Sequence, residues 1–484
     1  MFNVEPMARV QSLAIVLIVL LVWAVIYLPA LGSLPIKGEE GRRILPAISM
    51  IESGNYLVPQ VAGEVYFRKP PLINWLVAIS FKLLGQRNEW TARLPSALCV
   101  VAVAVAFVTV ARTSLSPPGS TVAALIWLTN AGMIEKGRLI EIEALYVSLC
   151  ALAIIFWLSH WERQRSPWLM WVPASIFLGL GLLAKGPVHL IFFYGVVVAV
   201  LWQNNNWRPL FHPAHFAGLL IMLGIFAAWA IPFVHSTGHA VTVAKWSSQF
   251  TGRLRGNNFT FSSWIWNIPR GLVYFLPWTI LLPLARPGIF TAEKHRRLAR
   301  GLAWGAGVPF VMMNLPPGSL PRYAMPAIAP AAWLLAMSLV ADNVWWPRLL
   351  GGKAFSLKNR QRMVAAIVVL VCMGMAGYTA VIIPRMHHRQ NVKELAAQID
   401  AIVPPSEPLH ALDADYQPIF FYLRSKLIYL SEVTDLPANA TYLLIRRRRE
   451  HEVMETKRWA PRRPHLISAF TDYRKESILL LKID

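Results

Sequence analysis

Apolar runs of bilayer length recur along this chain, separated by short loops, and that pattern leaves few folds open. The first runs from Leu13 to Leu31 and carries no charged side chain. A helix crossing the hydrocarbon core needs roughly 20 predominantly apolar residues, and fewer where protein surrounds its ends. By that rule spans are expected near residues 12–31, 91–112, 120–135, 143–160, 168–184, 187–203, 215–234, 271–285, 301–314, 322–341 and 363–383, about eleven in all. Apolar residues make up 56% of the chain and charged residues 15%, against about 25% charged in ordinary soluble domains. Many of the 20 tryptophans sit near the ends of the runs, as in the aromatic belts of membrane proteins. The sequence reads as an α-helical polytopic membrane protein. Its first run lacks a small-residue cleavage site and is expected to stay in place as a helix rather than be removed as a signal peptide.

The formal net charge of +22 could suggest nucleic acid, but the basic residues lie in short loops and in the C-terminal tail, which suits anionic headgroups better. No nucleic-acid partner is expected; membrane lipids are. Short basic loops stay in the cytoplasm. Such loops contain Arg163 and Arg165, Arg208, the stretch RPGIFTAEKHRRLARG, and the group Arg348, Lys353, Lys358, Arg360 and Arg362. With the spans above they all fall on one side. The first loop (32–90), the Glu135–Glu143 segment, the 235–270 loop and the tail then face outward, toward a periplasm. Two domains are expected, a membrane domain over 1–384 and a C-terminal domain over 385–484. Cys99, Cys150 and Cys372 lie inside apolar runs and read as small buried hydrophobes.

Within the first outer loop, Ile44, Leu45, Ile48 and Ile51 recur at helical spacing, so a short helix lying along the interface is expected from Arg43 to Ile51. Ser53-Gly54-Asn55 ends it, and Pro70-Pro71 opens a second amphipathic segment. In the tail, a helix is expected over Val392–Ile402. Short apolar segments follow at Ile419–Leu423, Leu427–Leu430, Tyr442–Ile445 and Ser477–Ile483, the pattern of a small soluble α/β domain. Arg446 to Arg449 read as a solvated basic strand end.

Chemistry is expected where charge gathers at the outer membrane boundary, since an ionisable group there is costly unless paired or facing water. Four stretches qualify: Glu39-Glu40 with Arg42; Tyr66-Phe67-Arg68-Lys69-Pro70-Pro71; Arg138 to Glu143; and Leu320-Pro321-Arg322-Tyr323. Lys185-Gly186-Pro187 is a lesser fifth. A carboxylate there could take a proton from an acceptor hydroxyl, while lysine and arginine hold a phosphate as it leaves. Together these suit transfer of a sugar from a lipid phosphate. No Gly-rich phosphate loop is present, which argues against ATP-type chemistry. Plainer readings stand beside these. Lys185 and Arg138 could be membrane-end anchors, and Glu39-Glu40 with Arg42-Arg43 a solvated ion-pair cluster. His189, His235 and His239 have no carboxylate or cysteine at ligand spacing, so no metal is expected.

The order of an acidic pair and arginine, then ESGNYLVPQVAGEVYFRKPPLINW, then RLPSAL, resembles the polyprenyl-phosphate-dependent glycosyltransferases of the GT-C class. These include the bacterial lipid A aminoarabinose transferases and, more distantly, protein O-mannosyltransferases. The likeness is strongest to about residue 110 and continues through AKGP, SSWIWNIPRGLVYFLPW and LPRY to roughly residue 340. It implies a sugar donor on undecaprenyl phosphate, a lipid or envelope-glycan acceptor, no cofactor, and an inner membrane location with the site facing the periplasm. The family's Asp-Glu pair falls on Glu39 and Glu40, its arginine on Arg42, its donor-phosphate lysine on Lys69 and its second acidic residue on Glu143. Tyr323 falls on a loop tyrosine that closes over the lipid phosphate. Three departures stand out. Glu39 and Glu143 replace the usual Asp; Arg68 stands where aminoarabinose transferases often have Glu; and Gln249 stands near the place of a histidine, the second partner of a metal site in that family. Glu39 is the expected general base, with Glu143 and Glu40 as further catalytic carboxylates, and Lys69, Arg42, Arg68, Arg322 and Tyr323 on the donor phosphate. A protein O-mannosyltransferase-like enzyme, a transporter or flippase of lipid-linked sugars, and a non-catalytic relative are the alternatives.

Overall fold

A computed structural model describes residues 4–255, 259–342, 344, 355–387, 392–413, 417–456, 462–471 and 477–484. In chain order the helices begin with α1 (Val4–Tyr27), α2 (Gly41–Ser53), α3 (Leu72–Leu84), α4 (Glu89–Thr109), α5 (Arg112–Thr129), α6 (Ala131–Gly137), α7 (Ile142–Glu162), α8 (Pro167–Ala184), α9 (Val188–Gln203) and α10 (Pro213–Thr237). They continue with α11 (His239–Arg255), α12 (Phe261–Trp264), α13 (Asn267–Val273), α14 (Glu293–Asn314), α15 (Ile328–Val340), α16 (Leu357–Gly377), α17 (Ile383–His387), α18 (Val392–Ile402) and α19 (Glu450–Glu455). The chain divides into two compact units. One comprises Met1–Pro29, Arg68–Leu72 and Leu94–Thr379; the other comprises Ala30–Phe67, Ile73–Arg93 and Ala380–Asp484.

Among the described residues, six helices are long and apolar enough to cross a membrane: Glu89–Thr109, Ile142–Glu162, Pro167–Ala184, Pro213–Thr237, Pro321–Val340 and Leu357–Met386. Gln11–Tyr27, Leu72–Leu84 and Val188–Gln203 are shorter apolar helices. Three expected spans take a different form. The run at 120–135 is cut at Asn130, whose extended backbone ends α5 and whose side chain caps α6 by accepting the Met133 N–H. The run at 271–285 is broken into the end of α13 and a 3-10 turn at Trp278–Leu284. Pro277 and Pro283 remove two backbone donors from that stretch. The run at 322–341 opens as a 3-10 turn, Pro321–Ala327, before α15. Arg348 and Lys353 lie outside the described residues.

Helices of the membrane-type unit are held by polar tips that find backbone acceptors. Trp23 donates to the Ala97 carbonyl at 2.9 Å, Trp127 to Val100 at 2.9 Å and Tyr27 to Leu128 at 3.0 Å, tying α1, α4 and α5 together. Between α9 and α14 the backbones meet directly. A Cβ on Gly305 would lie 2.6 Å from the Val196 Cα, and one on Gly301 would lie 2.8 Å from the Val200 Cα. Small residues at a helix contact are the usual means of close packing in lipid, where apolar side chains gain nothing by leaving the hydrocarbon.

The second unit gathers α2, most of α3 and the C-terminal segment. α2 begins at Gly41, two residues before the expected start, and ends at Gly54, whose φ of 71° is the left-handed terminator. A hairpin follows, β1 (Gln60–Val61) and β2 (Glu64–Val65), turned by Ala62 and Gly63 with φ of 53° and 80°. The five-stranded sheet is built from β3 (Leu409–Leu412), β4 (Leu427–Leu430), β5 (Tyr442–Arg446), β6 (Pro464–Thr471) and β7 (Ser477–Ile483), in the order β4-β3-β5-β7-β6. β3 runs parallel to β4 and β5, whereas β5–β7 and β7–β6 are antiparallel. Alternation along the strands sends Leu443, Ile445, Leu479, Leu481 and Ile483 into one core with Val433, Leu436 and Val453. Leu444 and Ile478 point to the other face, toward Ile399 of α18. The segment expected as apolar at Ile419–Leu423 is not a strand; Pro418 opens a 3-10 turn through Phe421.

Candidate functional site

In the membrane-type unit, the first turn of α7, the turn between α8 and α9, and the 3-10 turn Pro321–Ala327 bring a set of charges together. Glu143, buried in the first turn of α7, accepts Lys185 Nζ at 3.1 Å and pairs with Arg322 Nε at 3.2 Å. Lys185 also lies over two rings, 4.7 Å from the centre of Tyr323 and 5.2 Å from that of Tyr146. One turn earlier, buried Lys136 bridges Glu135 at 2.7 Å and Glu141 at 3.2 Å. Burial raises the Glu141 carboxyl above its ordinary range, with Lys136 opposing and Glu143 adding to the rise. Arg138, in the same loop, donates to the carbonyls of Ile26 and Pro29, both at 2.6 Å, which completes the end of α1. Arg68 is exposed and Lys69 half-buried, both just ahead of α3 and within this same unit.

Glu39, Glu40 and Arg42 belong to the second unit. Arg42 Nη1 grips both oxygens of Glu39, at 2.9 and 3.0 Å, and the Glu39 side chain is 47% exposed. Its neighbour is the opposite case: Glu40 and Arg93 are each 2% exposed and joined as a two-pronged pair, Nε to Oε1 at 2.8 Å and Nη2 to Oε2 at 2.9 Å. Arg93 also donates to the carbonyls of Leu31 (2.9 Å), Leu34 (2.8 Å) and Pro35 (3.1 Å). All five of its N–H groups are thereby satisfied. Glu40 Oε2 further accepts the Lys37 N–H at 3.2 Å, which shapes the 3-10 turn Gly38–Glu40 that carries Glu39. Arg43 donates to the Tyr66 hydroxyl at 2.6 Å.

Several of these partners escaped the sequence reading. Arg93 was visible only as the first letter of RLPSAL, with nothing local to show that it would close on Glu40. Tyr422, from the C-terminal segment, accepts the Ile36 N–H at 2.6 Å and donates to Glu89 Oε1 at 3.0 Å; Lys393 pairs with the same carboxylate at 2.5 Å. Burial raises the Tyr422 phenol well above its usual range, against the Ile36 N–H, and Glu89 adds to the rise, so the hydroxyl stays a donor. Among the described residues, no group of three or more His, Cys, Asp or Glu side chains is placed to hold a metal ion.

The chain matches the family model described as dolichyl-phosphate-mannose-protein mannosyltransferase over residues 68–231. It is 27% identical over 343 residues to undecaprenyl phosphate-alpha-4-amino-4-deoxy-L-arabinose arabinosyl transferase 2 of Pseudomonas fluorescens (strain Pf0-1), covering 69% of this chain and 60% of that relative. The corresponding transferase of Edwardsiella ictaluri is 26% identical over 362 residues, covering 72% of this chain and 64% of its own length. The chain thus spans rather less than two thirds of these curated relatives. Among solved structures, ArnT from Cupriavidus metallidurans bound to undecaprenyl phosphate superposes with a TM-score of 0.74 at 18% identity, covering 97% of each chain. The apo form of that protein gives a TM-score of 0.72 with 98% of each chain covered. The chain is a multi-pass membrane protein that has the fold of ArnT and resembles the GT-C glycosyltransferases of the aminoarabinose transferase type.

Proposed function

We propose that the chain is an inverting glycosyltransferase of a bacterial inner membrane, working on the periplasmic side. It moves a sugar from undecaprenyl phosphate to a lipid-linked envelope acceptor such as lipid A. The observation that carries this reading is the fold shared with ArnT along 97% of both chains, together with an exposed, arginine-gripped carboxylate at Glu39 and the Glu143–Lys185–Arg322 centre. The acceptor hydroxyl oxygen attacks the anomeric carbon opposite the phosphate, and the bond from that carbon to the phosphate oxygen breaks. Its electron pair leaves with undecaprenyl phosphate, and the hydroxyl proton passes to Glu39. Lys69, Arg68, Arg42 and Arg322, with Tyr323, hold the phosphate and offset the charge that grows on it. Glu143 orients the acceptor. Glu40, locked to Arg93, acts by fixing the turn that presents Glu39 rather than by exchanging protons.

The test is mass spectrometry of envelope lipids from cells with the chain, without it, and with Lys69→Ala. A sugar-sized mass difference that disappears in both the deletion and the variant is the expected result and names the sugar. The family match over residues 68–231 favours a second reading, in which the acceptor is a protein. Unchanged lipids with altered glycopeptides would move the acceptor there. If neither class of product changed, transfer itself would be ruled out as the activity.

A further inference from the structure

We infer that Arg93 and Tyr422 are positioning residues for Glu39, and that through Tyr422 the C-terminal segment is a working part of the transfer reaction. The inference rests on the reading above that Glu39 is the base. Glu39 is carried by the 3-10 turn Gly38–Glu40, is gripped by Arg42 from the first turn of α2, and has a side chain half open to solvent. Its position therefore depends on the backbone of residues 31–40, and that backbone is held from two directions. From the first turn of α4, Arg93 takes the carbonyls of Leu31, Leu34 and Pro35 and both oxygens of Glu40. From the C-terminal segment, the Tyr422 hydroxyl takes the N–H of Ile36, a residue with no exposed surface.

The two holds meet on one helix. Glu89, which receives the Tyr422 hydroxyl and Lys393, lies one helical turn before Arg93 on α4. Tyr422 thus bridges the loop to the helix that carries the arginine, and Lys393 fixes the carboxylate that makes the bridge. The sheet of the tail has an apolar core of its own. A phenol spent on a loop backbone N–H and a helix carboxylate is a device for geometry. A base displaced by about 1 Å can lose on the order of a hundredfold in rate.

The test uses the full chain in phospholipid vesicles, with undecaprenyl phosphate-linked 4-amino-4-deoxy-L-arabinose as donor and lipid A as acceptor. The variants are Tyr422→Phe, Glu39→Gln and the double variant, and binding of undecaprenyl phosphate alone is measured for each as the check on folding. Tyr422→Phe is expected to lower kcat by about tenfold to a hundredfold. The donor KM and the affinity for undecaprenyl phosphate should stay within about twofold. In the Glu39→Gln background, Tyr422→Phe should cost nothing further, because the base it positions is already gone. A wild-type kcat in Tyr422→Phe, an equal additional loss in the double variant, or a loss of undecaprenyl phosphate binding that accounts for the rate would each overturn the inference while leaving the proposed reaction standing. A wild-type rate in Glu39→Gln would instead remove the base assignment, and this inference with it.

Discussion

Two buried carboxylates, Glu40 in one unit and Glu143 in the other, solve the same problem in opposite ways. Each must be compensated, since an ionised carboxyl withdrawn from water is stable only with charge or hydrogen bonds around it. Glu40 meets an arginine whose every donor is used, and both members are 2% exposed. Glu143 shares two cations; one of them, Arg322, is 36% exposed, and the other, Lys185, lies against two tyrosine rings. The first arrangement is closed, with both charges buried against each other. The second keeps cationic surface open to a ligand. A saturated pair holds a shape, whereas a shared and partly exposed one can change partners during a reaction.

The largest effect expected from this contrast is on stability. Arg93→Ala leaves Glu40 buried without its cation and three loop carbonyls without their donor, a loss of about 3–5 kcal/mol. Thermal melting in vesicles should show it, with Arg93→Lys in between, since lysine restores the charge without the fork. A wild-type melting temperature in Arg93→Ala would break the picture of a closed lock. Glu143→Gln comes second and should act the other way round. Its stability cost, about 1–3 kcal/mol, should be smaller than that of Arg93→Ala, while turnover falls by about tenfold or more. Should Glu143→Gln melt as early as Arg93→Ala and yet turn over normally, the roles of the two carboxylates would have to be exchanged. The smallest effect concerns Glu141. Because burial raises its folded-state pKa, the native chain holds a proton that the unfolded chain has already released. Stability contributed there is present below the ordinary carboxylate range and is lost as pH rises through it toward the raised value. Glu141→Gln should flatten the decline in melting temperature over that window, and an unchanged slope would assign the decline to other groups.

What the sequence made legible followed from local pattern. Six apolar helices long enough to span a bilayer lie among the described residues, Val392–Ile402 became α18, and Ser53-Gly54 ended α2 where the turn residues said it would. Proline-rich stretches were harder, because an apolar run says nothing about missing backbone donors; Pro277 and Pro283 cut a run that looked continuous. β3 and β6 were not anticipated. β3 is four residues long and buried throughout, so it shows no alternation to read. Of the candidate site, the residue types and their loops were readable but not their pairing. Lys185 looked like an anchor and turned out to be held by Glu143 and two rings. Arg93 finds Glu40 across 53 positions and Tyr422 finds Ile36 across 386. No short-range periodicity encodes a contact over such distances; it exists only once the fold has brought the segments together.

The glycine contact between α9 and α14 bears on how the protein responds to its bilayer. At Gly301 and Gly305 of α14 a single added methyl group would run into the α9 backbone at Val200 and Val196. Helices packed this closely are expected to tilt together, as one strut, when the bilayer thickens or thins.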